Sequence, residues 1–128
     1  MKEKHVSVIF VVDDEVNISR SLAMILQHHG YAARSFTDPL EAWEQVRADP
    51  PDLLISDVAM PQLTGIDLAI RVKTYCANCK ILLFSGQTPT TDVLVEARKQ
   101  GHIFKVLPKP VHPTDLLREI DQLQETQV

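Results

Sequence analysis

Five residues of this 128-residue chain have the types and positions that phosphate chemistry requires. Asp13 and Asp14 follow the apolar run 6–12, Asp57 follows 53–56, Ser85 follows 81–84, and Lys109 lies just past 103–107. Carboxylates gathered at a low-dielectric edge repel one another by on the order of several kcal/mol, unless a cation joins them or one is protonated. A hard divalent cation resolves that conflict. Mg²⁺ prefers oxygen ligands and keeps several waters, so one or two carboxylates, a carbonyl and phosphate oxygens would suit it.

Each residue alone has a plainer account. Asp13 and Asp14 could cap the helix that follows, where Asp complements the helix dipole. Asp57 could be a turn residue ahead of Pro61, Ser85-Gly86 a simple turn, and Lys109 a solvated charge before Pro110. The conjunction favours chemistry, because four separate loops present these groups on one edge of a sheet.

For those residues to meet, the segments that carry them must be neighbours. Apolar runs of strand length alternate with stretches of helical period five times, with no repeat and no low-complexity segment. Run 6–12 is almost continuously apolar, as a strand covered on both faces requires. Ile18, Leu22, Ile25 and Leu26 then recur on one helical face, and Gly30 offers a left-handed stop. Run 31–36 contains Arg34 and Ser35 and suits a sheet edge. Thr37 or Asp38 can cap a helix with Pro39 in its first turn and Leu40, Trp43 and Val46 directed inward, ended by Asp49-Pro50-Pro51. Run 53–56 is a short buried strand, and a loop through Pro61 and Gly65 leads to a helix bearing Leu68, Ala69 and Val72. A strand over 81–84, a helix over 90–100 stopped by Gly101, and a strand over 103–107 follow. The last helix carries Leu116, Leu117, Ile120 and Leu123, introduced by His112-Pro113-Thr114.

Right-handed crossovers between parallel strands then predict a flavodoxin-like (βα)5 fold, a doubly wound parallel sheet of order 2-1-3-4-5 in a single domain. The polar second strand and the Lys105-bearing fifth take the edges. Ligands of such sheets bind outside the carboxyl ends of the strands, where the five residues stand. The domain is expected over 6–124, between short tails at 1–5 and 125–128.

Bulk properties exclude other classes. A formal net charge of −4 provides no broad positive field, which argues against direct nucleic-acid binding. No apolar run approaches the roughly 18 to 20 residues that span a bilayer, and residues 1–5 lack secretory-signal features. A cytoplasmic protein without membrane insertion is expected. Cys76-Ala77-Asn78-Cys79 lacks the second ligand pair of a closed zinc site, with His102 and His112 too dispersed to supply one. The pair reads as two thiols near a strand entrance, kept reduced in a cytosol.

The text Val11-Val12-Asp13-Asp14-Glu15, Asp57-Val58-Ala59-Met60-Pro61-Gln62-Leu63-Thr64-Gly65, Phe84-Ser85-Gly86 and Lys109-Pro110 resembles the CheY-like receiver domains of response regulators in bacterial-type two-component signalling. The resemblance spans residues 6–123. It implies that Asp57 is the phosphoacceptor, a carboxylate that forms an acyl phosphate. It implies Mg²⁺, or Mn²⁺ in its place, held by Asp14, by Asp57, by the Ala59 backbone carbonyl, and by Asp13 through a water. Lys109 would pair with phosphoryl oxygens, and Ser85 would donate its hydroxyl to one of them. The donor would be a phosphohistidine on a sensor histidine kinase or phosphotransfer protein. The downstream target would dock on the face of the fourth helix, fifth strand and fifth helix. Phosphoryl acceptance and hydrolysis would be self-catalysed, rather than turnover of a separate substrate.

The chain departs from that family at Val106, where most receivers carry Tyr or Phe as the mobile ring of the switch. A β-branched side chain is stiff at χ1 and has no ring to relocate. Phe104, two residues earlier, projects from the same side of the strand and is expected to take part of that role with Ser85. Pro108 stiffens the same loop, and the family pattern implies a cis Lys109-Pro110 bond.

Three other functions compete. A degenerate receiver would dock a partner without phosphorylation, with Val106 its only support against five intact site positions. A phosphatase with an Asp nucleophile would read Asp-x-Asp after the first strand, unlike Asp13-Asp14-Glu15. Flavin or nucleotide binding would need phosphate-cradling amides where this chain has paired acids.

Overall fold

The structure, a computed structural model, describes residues 6–86, 91–101 and 104–125, with 91–94 and 125 described by backbone alone. Five strands alternate with five helices: β1 Val8–Val12, α1 Val16–His28, β2 Ala32–Phe36, α2 Pro39–Ala48, β3 Leu53–Asp57, α3 Gly65–Tyr75, β4 Lys80–Ser85, α4 Thr91–Lys99, β5 Lys105–Pro108 and α5 Pro113–Glu125. All neighbouring strands pair in parallel, in the order β2-β1-β3-β4-β5. The flavodoxin-like order expected from the sequence is therefore observed.

Strand alternation sorts the apolar side chains into two cores. Ile9, Val11, Leu53, Ile55, Leu82 and Phe84 face α1 and α5, where they meet Leu22, Leu26, Leu116 and Ile120. Phe10, Val12, Leu54, Ile81 and Leu83 face α2, α3 and α4, where they meet Val46, Leu68, Val72 and Ala97. Burial on both faces explains the continuous apolar reading of β1 and β3. The edge strand β2 exposes Ala32, Arg34 and Ser35, as its polar sequence predicts.

Two caps set where helices start. Asp38 Oδ1 accepts a hydrogen bond from Leu40 N at 2.9 Å, with Pro39 in the first turn of α2. Thr64 Oγ1 accepts from Asp67 N at 3.1 Å at the start of α3. Gly30 ends α1 at φ +96°, a left-handed stop that a side chain would strain.

Two expectations need correction. Leu40 is 43% exposed; the inward face of α2 is Pro39, Ala42 and Val46, with Trp43 half-buried beside it. The Pro39 start sets that phase and turns Leu40 away from the sheet. The plainer alternative for Asp13 and Asp14 falls away, because neither caps α1, whose N-cap residue is Glu15 without a side-chain cap. Element ends also move by one or two residues: β1 begins at Val8, β4 gains Lys80 and Ser85, and β5 ends at Pro108. Thr90 and Ile103, expected at the start of α4 and of β5, lie outside the described residues with His102, as do 1–5 and 126–128.

Candidate functional site at the carboxyl edge of the sheet

The chain leaves β1 for β2 on one side and returns for β3 on the other, so the carboxyl ends of β1 and β3 flank the point where the winding reverses. Asp13 and Asp14 stand there beside Asp57, the last residue of β3. One carboxylate oxygen from each of the three lies within 4.8 Å of the others. Asp13 is fully buried, Asp57 is buried with 6% of its surface exposed, and Asp14 is exposed.

Asp13 is anchored on three sides. Its backbone N–H donates to Phe36 O at 3.0 Å, its Oδ1 accepts from Glu15 N at 2.9 Å, and its Oδ2 accepts from Lys109 Nζ at 2.8 Å. Lys109 Nζ also lies 3.3 Å from Asp57 Oδ1. The lysine is aimed by its backbone, since Lys109 N donates to Ser85 O at 2.9 Å and ties the end of β4 to the loop after β5. Ser85, half-buried, pairs in register with Pro108, next to Lys109. The Lys109-Pro110 peptide is cis.

The β3–α3 loop is held against Asp57 by a close backbone approach. Gly65 N donates to Val58 O at 2.8 Å, and a Cβ on Gly65 would overlap the Asp57 carbonyl oxygen. Glycine is required there by space. In the sequence Gly65 stands in the loop after β3 and at the end of the family motif that starts at Asp57, and its position directly after Thr64, the N-cap of α3, is the local signal for this close approach. Ala59 follows Asp57 by two residues and is exposed.

Electrostatics bind these groups to one another. Burial pushes the Asp57 carboxyl above its ordinary range, and Asp13 and then Asp14 add repulsion that Lys109 only partly opposes. Burial alone would lower the Lys109 ammonium. The hydrogen bond and charge of Asp13, followed by those of Asp57, outweigh it and hold Lys109 above its ordinary value. Three carboxylates against one ammonium leave two negative charges at the site. An all-oxygen donor set with that charge, open at Asp14, fits a hard divalent cation.

Phe104 and Val106 are half-buried and pack against the same core cluster, on the α3 and α4 side of the sheet. Lys105, between them in sequence, is exposed and lies 3.6 Å from Glu119 on α5. Cys76 and Cys79 are free thiols at the opposite end of the sheet, where α3 turns into β4. Among the described residues, no helix is long and apolar enough to cross a membrane.

Comparison with known proteins agrees with this geometry. The response regulator receiver domain family matches residues 9–121. CpdR, a response regulator receiver protein of Brucella abortus, is 31% identical over 120 residues, which cover 90% of this chain and 94% of that protein. The phosphoglycerate transport system transcriptional regulatory protein PgtA of Salmonella typhimurium is 38% identical over 109 residues, 85% of this chain but only 26% of that protein. Among solved structures, a chemotaxis response regulator of Vibrio cholerae superimposes with a TM-score of 0.77 at 28% identity, over 92% of this chain and 98% of its own. A chain with this topology, this cluster at the carboxyl edge and a family match over nearly its whole length belongs to the response regulator receiver domains of two-component systems.

Proposed function

We propose that this receiver accepts a phosphoryl group on Asp57 from a phosphohistidine of a sensor kinase or phosphotransfer protein, and that the acyl phosphate shifts its affinity for a downstream protein. The observation that carries this reading is the placement of Asp57, at the rim of a three-carboxylate cluster with Lys109 Nζ 3.3 Å from its Oδ1. An Asp57 oxygen attacks phosphorus as the phosphorus–nitrogen bond to the donor imidazole breaks. Water later attacks the same phosphorus and frees inorganic phosphate. Both steps are carried by the receiver itself, so the chain is a self-modifying switch rather than an enzyme acting on a separate substrate.

Phosphoryl transfer develops charge on the equatorial oxygens, so positioned positive charge is the main catalytic requirement. Lys109, raised in pKa and held by Asp13, remains an ammonium and meets that charge. Asp14, Asp57, the Ala59 carbonyl and Asp13 through a water would hold Mg²⁺, or Mn²⁺ in its place. When bound, that cation would supply positive charge that offsets the carboxylate repulsion and favours phosphate oxygens at the site. Ser85 stands at the end of β4 to donate to a phosphoryl oxygen, and Phe104, packed on the same core cluster as Val106, takes part of the switch role that a ring at position 106 would fill. The partner face is α4, β5 and α5, reached by a shift between two populated states.

Intact mass after incubation with acetyl phosphate and Mg²⁺ tests the reading. One added phosphoryl group is expected, absent in Asp57→Asn and absent when chelator replaces the metal. Phosphorylation that survives Asp57→Asn unchanged would overturn it.

A further inference from the structure

The Cys76-Ala77-Asn78-Cys79 turn lies at the amino edge of the sheet, remote from the carboxylate cluster, and has no part in phosphoryl acceptance. Cys76 closes α3, its N–H donating to Val72 O at 2.7 Å. Cys79 N donates to Cys76 O at 3.1 Å, the backbone bond of a four-residue turn. Such a turn holds its end Cα atoms within about 7 Å, and disulfides need about 4.4–6.8 Å. Lys73 Nζ braces the turn by donating to Ala77 O at 3.0 Å. Both sulfurs pack against one core cluster, Cys79 buried and Cys76 half-buried. A cavity of about 570 Å³, lined by both cysteines with Lys73, Lys80 and Pro51, opens beside them.

We propose that Cys76 and Cys79 form a dithiol site, which a low-molecular-weight disulfide of the glutathione type oxidises to an intramolecular bond across the α3–β4 turn. The cavity admits the oxidant to Cys76. The Cys76 sulfur loses its proton to solvent and attacks one sulfur of the oxidant, whose S–S bond breaks to release one glutathione thiol. The Cys79 sulfur then loses its proton and attacks the Cys76 sulfur of the mixed disulfide, releasing the second glutathione thiol. Two protein thiols are oxidised, and one glutathione disulfide is reduced to two thiols.

The two sulfurs are unequal, which sets that order. Burial pushes the Cys79 thiol up to about 12; Cys76 adds to the rise, Lys73 opposes it, and Asp52 adds again. Cys79 is thus a poor first nucleophile and serves as the resolving thiol once Cys76 is derivatised. The closed bond would fix the end of α3 to the start of β4, the two elements whose other ends carry Gly65 and Ser85.

The test is titration of the full chain with glutathione disulfide, followed by alkylation under denaturing conditions and intact mass. The oxidised chain should lose two hydrogens and take up no alkyl group, against two groups for the reduced chain. Cys79→Ala should trap one glutathione on Cys76, and Cys76→Ala should take up none. The proposal is overturned if the wild-type chain keeps two alkylatable thiols, stops at a glutathione adduct, or forms disulfide-linked pairs of chains. The wild-type measurement decides alone if Cys79→Ala fails to fold.

Discussion

Lys109 Nζ lies 2.8 Å from Asp13 Oδ2 and 3.3 Å from Asp57 Oδ1, so the ammonium is anchored on the fully buried acid and only leans on its neighbour. That inequality suits an acceptor site. The carboxylate proposed to react is the one less committed to existing partners, while the lysine that must meet the incoming phosphate is already held in place.

Removing the lysine should be costly. Lys109→Met strips Asp13 of its cation and leaves a buried carboxylate unpaired, which is expected to lower metal-free stability by about 3–5 kcal/mol. Urea unfolding checks this, and a loss under about 1 kcal/mol would count against the pairing. Because Lys109 is held above its ordinary value, its contribution is fully present below about pH 10.4 and is lost as pH rises through the folded-state value.

The acceptor itself should behave in the opposite way. Asp57 is raised in the folded state, so its ionisation opposes folding. The cost is absent below the ordinary Asp value of about 3.9, grows as pH rises above it, and is complete above the folded-state value. Asp57→Asn is therefore expected to raise the metal-free melting temperature by several degrees at neutral pH, with the gain fading in acid. A variant less stable than wild type at neutral pH, without metal, would refute the repulsion argument.

Mg²⁺ should stabilise the folded chain in a way that depends on the cluster. At about one hundred times its dissociation constant, a ligand bound only by the folded state adds about 2.7 kcal/mol. Thermal unfolding with and without chelator reads that gain. It should shrink strongly in Asp14→Asn, which leaves both buried carboxylates in place.

Space, rather than charge, governs Gly65. Gly65→Ala places a methyl group against the Asp57 carbonyl and is expected to cost about 3 kcal/mol. Leu40→Gln, on the exposed side of α2, should stay within about 0.5 kcal/mol of wild type. Chemical denaturation of the pair separates the two cases.

The switch has its own test. Phe104 packs on the same cluster as Val106, so Phe104→Ala should reduce the difference in amide hydrogen exchange between acetyl phosphate-treated and untreated protein along α4 and β5. An unchanged difference would remove Phe104 from the switch.

Most of the architecture was legible in the chain itself. Continuous apolar runs at β1 and β3, a polar β2, four intervening helical patterns and a closing fifth are local consequences of strand and helix period, and they led to the observed strand order. The acids, hydroxyl and lysine were legible for the same reason, because each stands at or just after the end of a strand and parallel strands bring those ends to one edge. What sequence could not determine was relative position at the scale of a hydrogen bond. That Lys109 binds Asp13 more closely than Asp57, that Asp13 turns an oxygen to Glu15 N instead of capping α1, and that Gly65 presses on the Asp57 backbone all depend on how separate loops approach one another. The phase of α2 was lost likewise: a run of apolar residues does not show which of Pro39, Leu40 and Ala42 meets the sheet until the first helical residue is fixed. Local periodicity chooses the elements and their order; close packing between elements distant in sequence decides distances, burial and charge.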